Sequence, residues 1–563
     1  MTFYFSRSFL LKFIRYICNL RIHLVMKKLY AVIGAIVFFT TISAFSKIIV
    51  NPDFDNGPVT FSITAIELTD SATRVNTDIY SKPGWWIRPQ SNTILKGHIT
   101  GNSYKLKNIE GLKIDEKYFL GDSAYVSSVY VFEPINPIDS IIDFIEPDSW
   151  EVAGVKLHET VRKPFRTHIH GTLEGHPASS WFILSEALAD QRVNKSLIIP
   201  VRNGKFAYDL YTDSPLVYKL CIGSEYLNGS WRNICFSSAD SDVSIQIPKD
   251  FNENAIICGG AATNAIKEYE NKRRAYLKLN LKETPIGRLY EDMEKTGKDL
   301  TPEAYNLKKL MEGGKLSKSQ KDSLSNEARR LHSEDKIYSE EGKRVKKEYY
   351  ELSDKVNSQF FQEELSKPSP AHLYEMLQLI TFGYPYPEKI FDIFIENYRD
   401  TLTDNPYHKT LSLMYEAGDP APGKKYTDFS APDLEGNIVK ISDMIGGKVA
   451  IIDLWASWCG SCRRHSKEFI PFYEKYHDKG FEIIGVAREK SSTEAMVKAI
   501  KRDGYPWLNL VELDDANSIW KKYHAGNGGG KIVMVDKDGT ILAVNPSAEE
   551  VEKILIEKFG EVE

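Results

Sequence analysis

The chain has 563 residues, of which 42% are hydrophobic and 26% are charged, and its formal net charge at pH 7 is −5. This length exceeds what one hydrophobic core can organise, so several domains are expected. The negative charge argues against a nucleic-acid partner, because phosphate binding needs a basic face. Six cysteines are too few for a disulfide-rich scaffold, and a single C-x-x-C pair argues against structural zinc. No metal or other cofactor is expected.

Residues 1–46 have the pattern of a targeting segment. Lys27 and Lys28 precede the apolar run Leu29–Ala44, which ends in small residues as a signal peptide does and is short for a membrane span. Met26 is the expected true start. A cleaved signal peptide is favoured, and an uncleaved anchor is the alternative. Both predict export to the periplasm or cell envelope, where disulfides persist.

Two successive segments, 50–160 and 163–250, have the pattern of β domains. Thr60–Leu68 alternates apolar and polar residues as a half-buried strand does. The second segment contains strand-length apolar runs separated by Gly, Asn or Pro, and this spacing predicts a β-sandwich. Trp85 and Trp86 are expected to pack on a sheet face, with a binding platform as the less favoured interpretation.

Two groups in the second β segment could carry chemistry. His168 and His170 lie on one face of a strand and could bind a metal, but no third ligand is evident, so solvated histidines are expected. Cys221 and Cys235 flank Asn228-Gly229, a hairpin signal. The two cysteines either face each other in a cross-strand disulfide or remain small buried thiols.

Residues 252–417 carry a helical period, as in Leu373–Ile380, where apolar residues recur at i, i+3, i+4 and i+7. The stretch 297–350, dense in Lys, Glu and Ser, predicts solvated helices without chemistry. Two prolines and two glycines in Gly418–Gly423 predict a linker to a last domain, 418–563. Strands alternate with helices there, which predicts an α/β domain with a mixed sheet.

The last domain contains Cys459 and Cys462, directly after the apolar strand Val449–Trp455 and at the start of a charged helical segment. The first turn of a helix presents N–H groups and the positive end of the dipole, which lower a cysteine pKa. The first cysteine is placed to attack, and the second, one turn inside, to resolve a mixed disulfide. The pair therefore predicts thiol–disulfide exchange.

Residues 418–563 resemble the TlpA/ResA-type thioredoxin-like thiol–disulfide oxidoreductases, which are extracytoplasmic. The matching residues lie in three segments, Phe429–Gly436, Trp455–Cys462 and Val535–Gly539. The upstream segments loosely resemble the N-terminal regions of some bacterial TlpA-like proteins. A peroxiredoxin is the related alternative, but peroxiredoxins do not usually carry W-C-x-x-C.

The resemblance implies a thioredoxin-like fold and a redox-active disulfide between Cys459, the nucleophile, and Cys462, the resolving thiol. It also implies that Asp453 is the buried acid that accepts the proton of the second cysteine. Physical chemistry agrees, because a carboxylate in an apolar strand has a raised pKa. The alternative is an Asp at the strand edge bound to a backbone N–H.

The resemblance also identifies residues that shape the site. Trp455 flanks the pair, and Trp458 is expected to shield the thiols from water. Many such reductases have a glutamate three residues after the second cysteine; His465 stands there and either tunes the thiols or sits exposed. By alignment from Asp536, Gly530 replaces the family's cis-proline. A cis bond before glycine costs about 2.5–4 kcal/mol, so a trans bond and a looser or differently shaped substrate groove are expected.

The sequence therefore predicts a multidomain protein with two β-sandwich-like domains, an α-helical region and a C-terminal α/β thioredoxin-like domain. The predicted function is exported thiol–disulfide exchange, with reduction favoured over oxidation. Protein or cytochrome-maturation disulfides are the expected substrates, and a membrane or periplasmic thiol is the expected electron donor. The alternative is a non-catalytic or weakly redox-active interaction module on a large binding scaffold, motivated by Gly530 and the size of the upstream region.

Overall fold

The structure is a computed structural model that describes residues 46–561, except 148, 159–162, 177–179, 191–194, 230–231, 250–254, 314–315, 383–389, 491 and 528. Apart from Ser46, the predicted targeting segment therefore lies outside the described residues. None of the helices in the described part of the chain combines the length and the apolar composition of a membrane span.

The first β domain is an antiparallel sheet that curls onto itself. Its strands are β1 (Ser46–Val50), β2 (Phe61–Thr69), β3 (Thr73–Tyr80), β4 (Trp86–Ile87), β5 (Ile94–Gly97), β6 (Ser103–Glu110), β7 (Tyr118–Phe119), β8 (Tyr125–Phe132), β9 (Ile141–Glu146) and β10 (Trp150–Lys156). The described sheet has the order β1-β2-β3-β8-β6-β5-β9-β10, with β4 and β7 as a separate pair. The Phe61 ring centroid in β2 lies 5.5 Å from that of Phe144 in β9, so distant strands share one core.

The alternation expected for Thr60–Leu68 is present in β2, with one interruption. Phe61, Ile63 and Ile66 are buried, and a bulge between Ile63 and Ala65 moves the alternation by one residue. The expected sheet packing of Trp85 and Trp86 is not seen, because both side chains are exposed.

The second β domain is a sandwich of two sheets. Its elements are β11 (Phe165–Leu173), β12 (Trp181–Glu186), β13 (Leu197–Pro200), β14 (Lys205–Thr212), β15 (Val217–Ile222), α1 (Gly223–Leu227), β16 (Asn233–Ser237), β17 (Asp242–Ile247) and β18 (Ile256–Cys258). The described sheets have the orders β14-β11-β17-β18 and β13-β12-β15-β16, and their inner faces share one core. Strand β18 extends the sandwich past the expected boundary at residue 250.

The hairpin expected between Cys221 and Cys235 is longer than its turn signal indicated. Helix α1 lies in the connection, and the register pairs Cys235 with Lys219 and Cys221 with Asn233. The two cysteines are therefore offset instead of opposite, and neither is in a disulfide.

The helical region contains α2 (Ala261–Leu277), a π-helical turn (Lys278–Lys282), α3 (Pro285–Thr296), α4 (Pro302–Glu312), α5 (Lys318–Ser333), α6 (Glu340–Leu365), α7 (Pro370–Phe382), α8 (Ile390–Tyr398) and α9 (Pro406–Ala417). The apolar face predicted in Leu373–Ile380 is buried in α7. Helices α7, α8 and α9 share a core with Ala187 and Leu188, which follow β12 of the sandwich. The helical region and the sandwich are thus packed together.

The C-terminal domain has a mixed sheet covered on both faces. Its elements are β19 (Ser430–Pro432), β20 (Ile438–Lys440), α10 (Ile441–Ile445), β21 (Val449–Trp455), α11 (Gly460–Glu468), α12 (Ile470–Tyr476), a 3₁₀ turn (His477–Lys479), β22 (Phe481–Glu489), α13 (Glu494–Asp503), β23 (Leu508–Leu513), α14 (Ile519–Lys522), β24 (Lys531–Val535), β25 (Ile541–Val544) and α15 (Ala548–Phe559). The described sheet has the order β23-β22-β21-β24-β25, with β21, β22 and β23 parallel and β24 antiparallel to β21.

Candidate redox-active site

The two cysteines lie where the central strand of the C-terminal sheet ends. Every residue of β21 is buried, and α11 begins at Gly460 with Cys459 as its N-cap. Cys459 and Cys462 are joined by a disulfide, with their Cα atoms 5.3 Å apart. A fully buried parallel strand followed by a helix therefore presents the pair at the carboxyl edge of the sheet.

Each sulfur accepts a hydrogen bond from a backbone N–H group. The Cys462 N–H donates to Cys459 Sγ at 3.2 Å, and the Gly530 N–H donates to Cys462 Sγ at 3.1 Å. Both donors, together with the N-terminal end of α11, stabilise negative charge on sulfur. The arrangement favours the thiolate form of either cysteine once the disulfide is reduced.

The two cysteines differ in exposure. Cys459 is only 4% exposed, whereas Cys462 is half-buried. The described conformation therefore shields the sulfur that is expected to attack.

Asp453 lies in the middle of β21 and is 1% exposed. Burial raises its pKa to about 7, and a hydrogen bond from Ser466 opposes this shift. Ser466 Oγ is 2.6 Å from Asp453 Oδ2 and 3.0 Å from the Cys462 carbonyl oxygen. Ser466 thus links the acid to the helix turn that carries the second cysteine.

Sequence reasoning missed Ser466 and Glu489. Ser466 lies four residues after Cys462, on the same helix face, and that spacing was the signal available. Glu489 ends β22 and accepts hydrogen bonds from the N–H and the Oγ of Ser457, both at 2.7 Å. Burial raises the pKa of Glu489. This carboxyl fixes the turn between β21 and the cysteines.

The residues expected to shape the site surround it in different ways. Trp455 is fully buried, and its indole N–H donates to Asn509 Oδ1 at 2.9 Å. Trp458 is half-buried, with its ring centroid 6.3 Å from that of Trp520. The half-buried His465 ring packs on Phe469, with the two ring centroids 5.0 Å apart. Whether His465 tunes the thiols stays a prediction.

Gly530 meets the cysteines through its backbone. The described residues contain no cis peptide bond, so the chain enters Gly530 in trans, as expected. A Cβ atom at Gly530 would lie closer than 3.0 Å to the Leu454 carbonyl oxygen, a separation that real Cβ atoms do not show. The absence of a side chain thus permits the close approach that brings the Gly530 N–H to Cys462 Sγ. Proline would lack this N–H group.

His168 and His170 lie close to a third residue that could bind a metal, which their sequence spacing did not reveal. Asp242, on the neighbouring strand β17, brings a carboxylate so close that one ligand atom from each of the three residues lies within 4.8 Å of the others. The premise that no third ligand is available was therefore wrong. His168 Nδ1 is 2.7 Å from Asp209 Oδ1, and His170 Nε2 is 3.4 Å from Asp242 Oδ2, so each histidine already has a carboxylate partner. This cluster lies in the sandwich, a different domain from the cysteines.

A known protein family matches this same C-terminal domain. Residues 422–544 match the AhpC/TSA family. Over 139 residues the chain is 31% identical to the thiol-disulfide oxidoreductase ResA of Bacillus cereus, a match that covers 25% of this chain and 72% of that protein. Over 125 residues it is 30% identical to the thiol:disulfide interchange protein DsbE of Allochromatium vinosum, covering 22% of this chain and 65% of that protein.

A solved structure is similar over a comparable share of the chain. The thioredoxin domain of a thiol-disulfide oxidoreductase from Bacteroides vulgatus is 29% identical, and the match covers 25% of this chain and 99% of that one, with a TM-score of 0.23. The residues before 422 lie outside the family match. Through its C-terminal domain, the chain belongs to the ResA-type thiol-disulfide oxidoreductases.

Proposed function

We propose that this protein is an exported thiol–disulfide oxidoreductase that reduces protein disulfides through the Cys459–Cys462 pair. The observation that carries the proposal is the disulfide at the start of α11, with a backbone N–H donor directed at each sulfur. These donors support a thiolate that attacks and a thiolate that leaves, the two species that exchange requires.

In the proposed cycle, the Cys459 thiolate attacks one sulfur of a substrate disulfide. A bond forms between Cys459 Sγ and that sulfur, and the other substrate sulfur leaves as a thiolate. The Cys462 thiolate then attacks Cys459 Sγ and releases the second substrate sulfur. Two electrons have passed to the substrate, and the enzyme holds the disulfide. An external dithiol, the proposed membrane or periplasmic electron donor, must reduce it for the next turnover.

Asp453 is the proposed proton acceptor for Cys462. With a pKa raised to about 7, its carboxyl exchanges a proton near neutral pH, as general acid–base catalysis requires. When Asp453 is ionised, Ser466 donates to it; when Asp453 is protonated, the hydroxyl is available to the Cys462 carbonyl. Ser466 therefore serves both protonation states of the acid.

Disulfide reduction by the full chain with a dithiol donor tests the proposal. Wild type should turn over, Cys459→Ser should not, and Cys462→Ala should trap the substrate as a mixed disulfide on Cys459. Cys221→Ser, which removes a thiol of the sandwich, is the matched control and should turn over like wild type. Equal rates for wild type and Cys459→Ser would overturn the redox proposal.

The second candidate is the interaction module with little exchange activity. The observation that favours it is the 4% exposure of Cys459, since a nucleophile must be reached by its substrate. Equilibration of the full chain with dithiol buffers separates the candidates. A pair that cannot be reduced and reoxidised at accessible potentials would favour the interaction module.

A further inference from the structure

We infer that the sandwich and the helical region position residues 524–527 and 529–530, here called the docked loop, and so set the reactivity of the cysteine pair. The inference rests on the proposed function and adds a second role to it: the upstream domains become part of the redox site. The described residues of the docked loop contact those domains at one end and the cysteine sulfurs at the other.

Asn527 binds both upstream domains. Its side-chain Nδ2 donates to the Leu188 carbonyl oxygen at 2.8 Å, and its backbone N–H donates to the Thr381 carbonyl oxygen at 3.4 Å. Leu188 follows β12 of the sandwich, and Thr381 lies in the last turn of α7. Carbonyls at a helix C-terminus lack partners within their own helix, so the loop supplies a donor that α7 itself cannot.

Gly526 permits this contact. A Cβ atom here would lie closer than 3.0 Å to the Thr381 carbonyl oxygen, and the three heavy atoms nearest to that hypothetical atom all belong to Thr381. Gly526 is not in the left-handed region of backbone conformation. The close approach of α7, and not the turn of the loop, therefore accounts for glycine at this position.

The loop's other anchor is His524. Its Nε2 lies 3.1 Å from the Met414 carbonyl oxygen of α9, which makes Nε2–H the donor, and its ring packs on Phe391 of α8 with centroids 5.3 Å apart. Beside the loop, the buried Arg488 pairs with Asp515 of its own domain at 2.6 Å and reaches Asp190 of the sandwich at 3.8 Å. Arg488 precedes Glu489, which holds the active-site turn.

The far end of the loop reaches the sulfurs. The Gly530 N–H donates to Cys462 Sγ, and a Cβ atom on Gly529 would stand 3.9 Å from each sulfur. Glycine has the largest backbone freedom of any residue, so a glycine-rich segment does not hold one conformation by itself. The contacts of His524, Gly526 and Asn527 with the upstream domains supply the fixed geometry that the family's proline would otherwise give.

Gly526→Ala in the full chain tests the inference. We expect the alanine to push the docked loop away from Thr381 and to slow exchange roughly tenfold to a hundredfold, because a small displacement of a reacting group is costly. The equilibrium constant of the Cys459–Cys462 disulfide against a dithiol buffer should shift at least threefold. Asn527→Ala should change both quantities in the same direction by less.

Two controls match these changes. Gly121→Ala adds the same methyl group at a glycine with open space around it. Asn437→Ala removes a side-chain amide whose Nδ2 donates to Asp433 Oδ2 of the same hairpin at 3.0 Å. Both should behave like wild type. A folded Gly526→Ala variant with wild-type rate and equilibrium constant would overturn the inference. Failure of wild type itself to exchange would instead overturn the proposed function.

A structural readout covers the case in which Gly526→Ala is poorly folded. Hydrogen exchange of the peptides spanning residues 524–531 should rise in Asn527→Ala, while exchange in the β21 peptides stays unchanged. If exchange in the docked loop is the same in wild type and Asn527→Ala, the upstream domains do not hold the loop and the inference is wrong.

Discussion

Two cysteine pairs in this chain differ in what surrounds their sulfurs. Cys459 and Cys462 lie at a helix start, where each sulfur faces a backbone N–H group. Cys221 and Cys235 lie on neighbouring strands of the sandwich, where burial raises their pKa values to about 11 and about 12. Cys221 and Cys235 also receive hydrogen bonds, from Tyr226 and Tyr374, but burial outweighs them and raises both pKa values. A hydrogen bond therefore favours the thiolate only where burial does not outweigh it, and the start of a helix adds to its effect.

The largest effect expected from this contrast is in alkylation of the reduced, folded chain at pH 7. Cys459 should react on the order of 10³-fold faster than Cys221 or Cys235, because few of the buried thiols are ionised at that pH. Mass spectrometry of peptides after timed iodoacetamide exposure measures the rates. The exposed Cys258 is the internal reference. Similar rates for all four thiols would break the contrast.

Asp453→Asn sharpens the comparison by removing the proposed proton acceptor. Exchange at pH 7 should slow by about 10²-fold, the usual contribution of a positioned acid or base. Single-turnover kinetics should place the loss in the step that resolves the mixed disulfide. A loss confined to the first attack would contradict the role assigned to Asp453.

The same variant should also change the free energy of unfolding, in a direction that depends on pH. The folded-state pKa of Asp453 is raised to about 7. The folded protein therefore holds the Asp453 proton more tightly than the unfolded chain does. This stabilises the fold fully below pH 4, the ordinary range for the pKa of Asp, and the stabilisation is lost as pH rises towards 7. Asp453→Asn should become more stable than wild type over that window, by at most about 4 kcal/mol.

Denaturant titrations at pH 4 and pH 8 measure this difference. Asp433→Asn is the control with the opposite sign, because a hydrogen bond from Asn437 lowers the pKa of the half-buried Asp433. A pH-independent difference between Asp453→Asn and wild type would show that Asp453 does not titrate with a raised pKa.

Gly530→Ala should remove the donor geometry that distinguishes the reactive pair. Its Cβ would clash with the Leu454 carbonyl, so we expect a loss of about 1–3 kcal/mol in unfolding free energy. Exchange should also slow, since the backbone N–H would leave Cys462. Proline at this position should not rescue the rate, because it lacks the N–H group. A faster Gly530→Pro variant would show that the glycine loop compromises the native site.

The smallest effect is expected in the sandwich. Cys235→Ser should change the exchange rate less than about twofold and cost about 1–2 kcal/mol, because a hydroxyl replaces a small buried thiol. Turnover and denaturant unfolding measure the two quantities. A large loss of turnover would give the second pair a role in the redox cycle and erase the distinction between the pairs.

Local sequence patterns predicted the features that depend on a single strand or helix. The apolar run Val449–Trp455 is a fully buried strand, and the acid within it is buried as expected. The helical spacing in Leu373–Ile380 gave the buried face of α7. In each case the burial of a single element follows from the order of its own residues.

Features that depend on which strands meet were not predictable. Asp242 reaches His168 through the parallel pairing of β17 with β11, and helix α1 changed the register between Cys221 and Cys235. Neither pairing leaves a mark in the nearby sequence. The contacts of Gly526 likewise come from a helix of another domain, so the role of this glycine could not be predicted from the sequence around it.

The hydrogen bond between Asn527 and Leu188 joins residues 339 positions apart. During synthesis, the sandwich and the helical region emerge before the docked loop exists, and domains generally fold in that order. Contacts between distant parts of a chain are the slow ones to form. The redox site is therefore completed last, when the C-terminal domain settles onto upstream domains that are already folded. A chain with misfolded upstream domains would carry both cysteines but an unfinished loop.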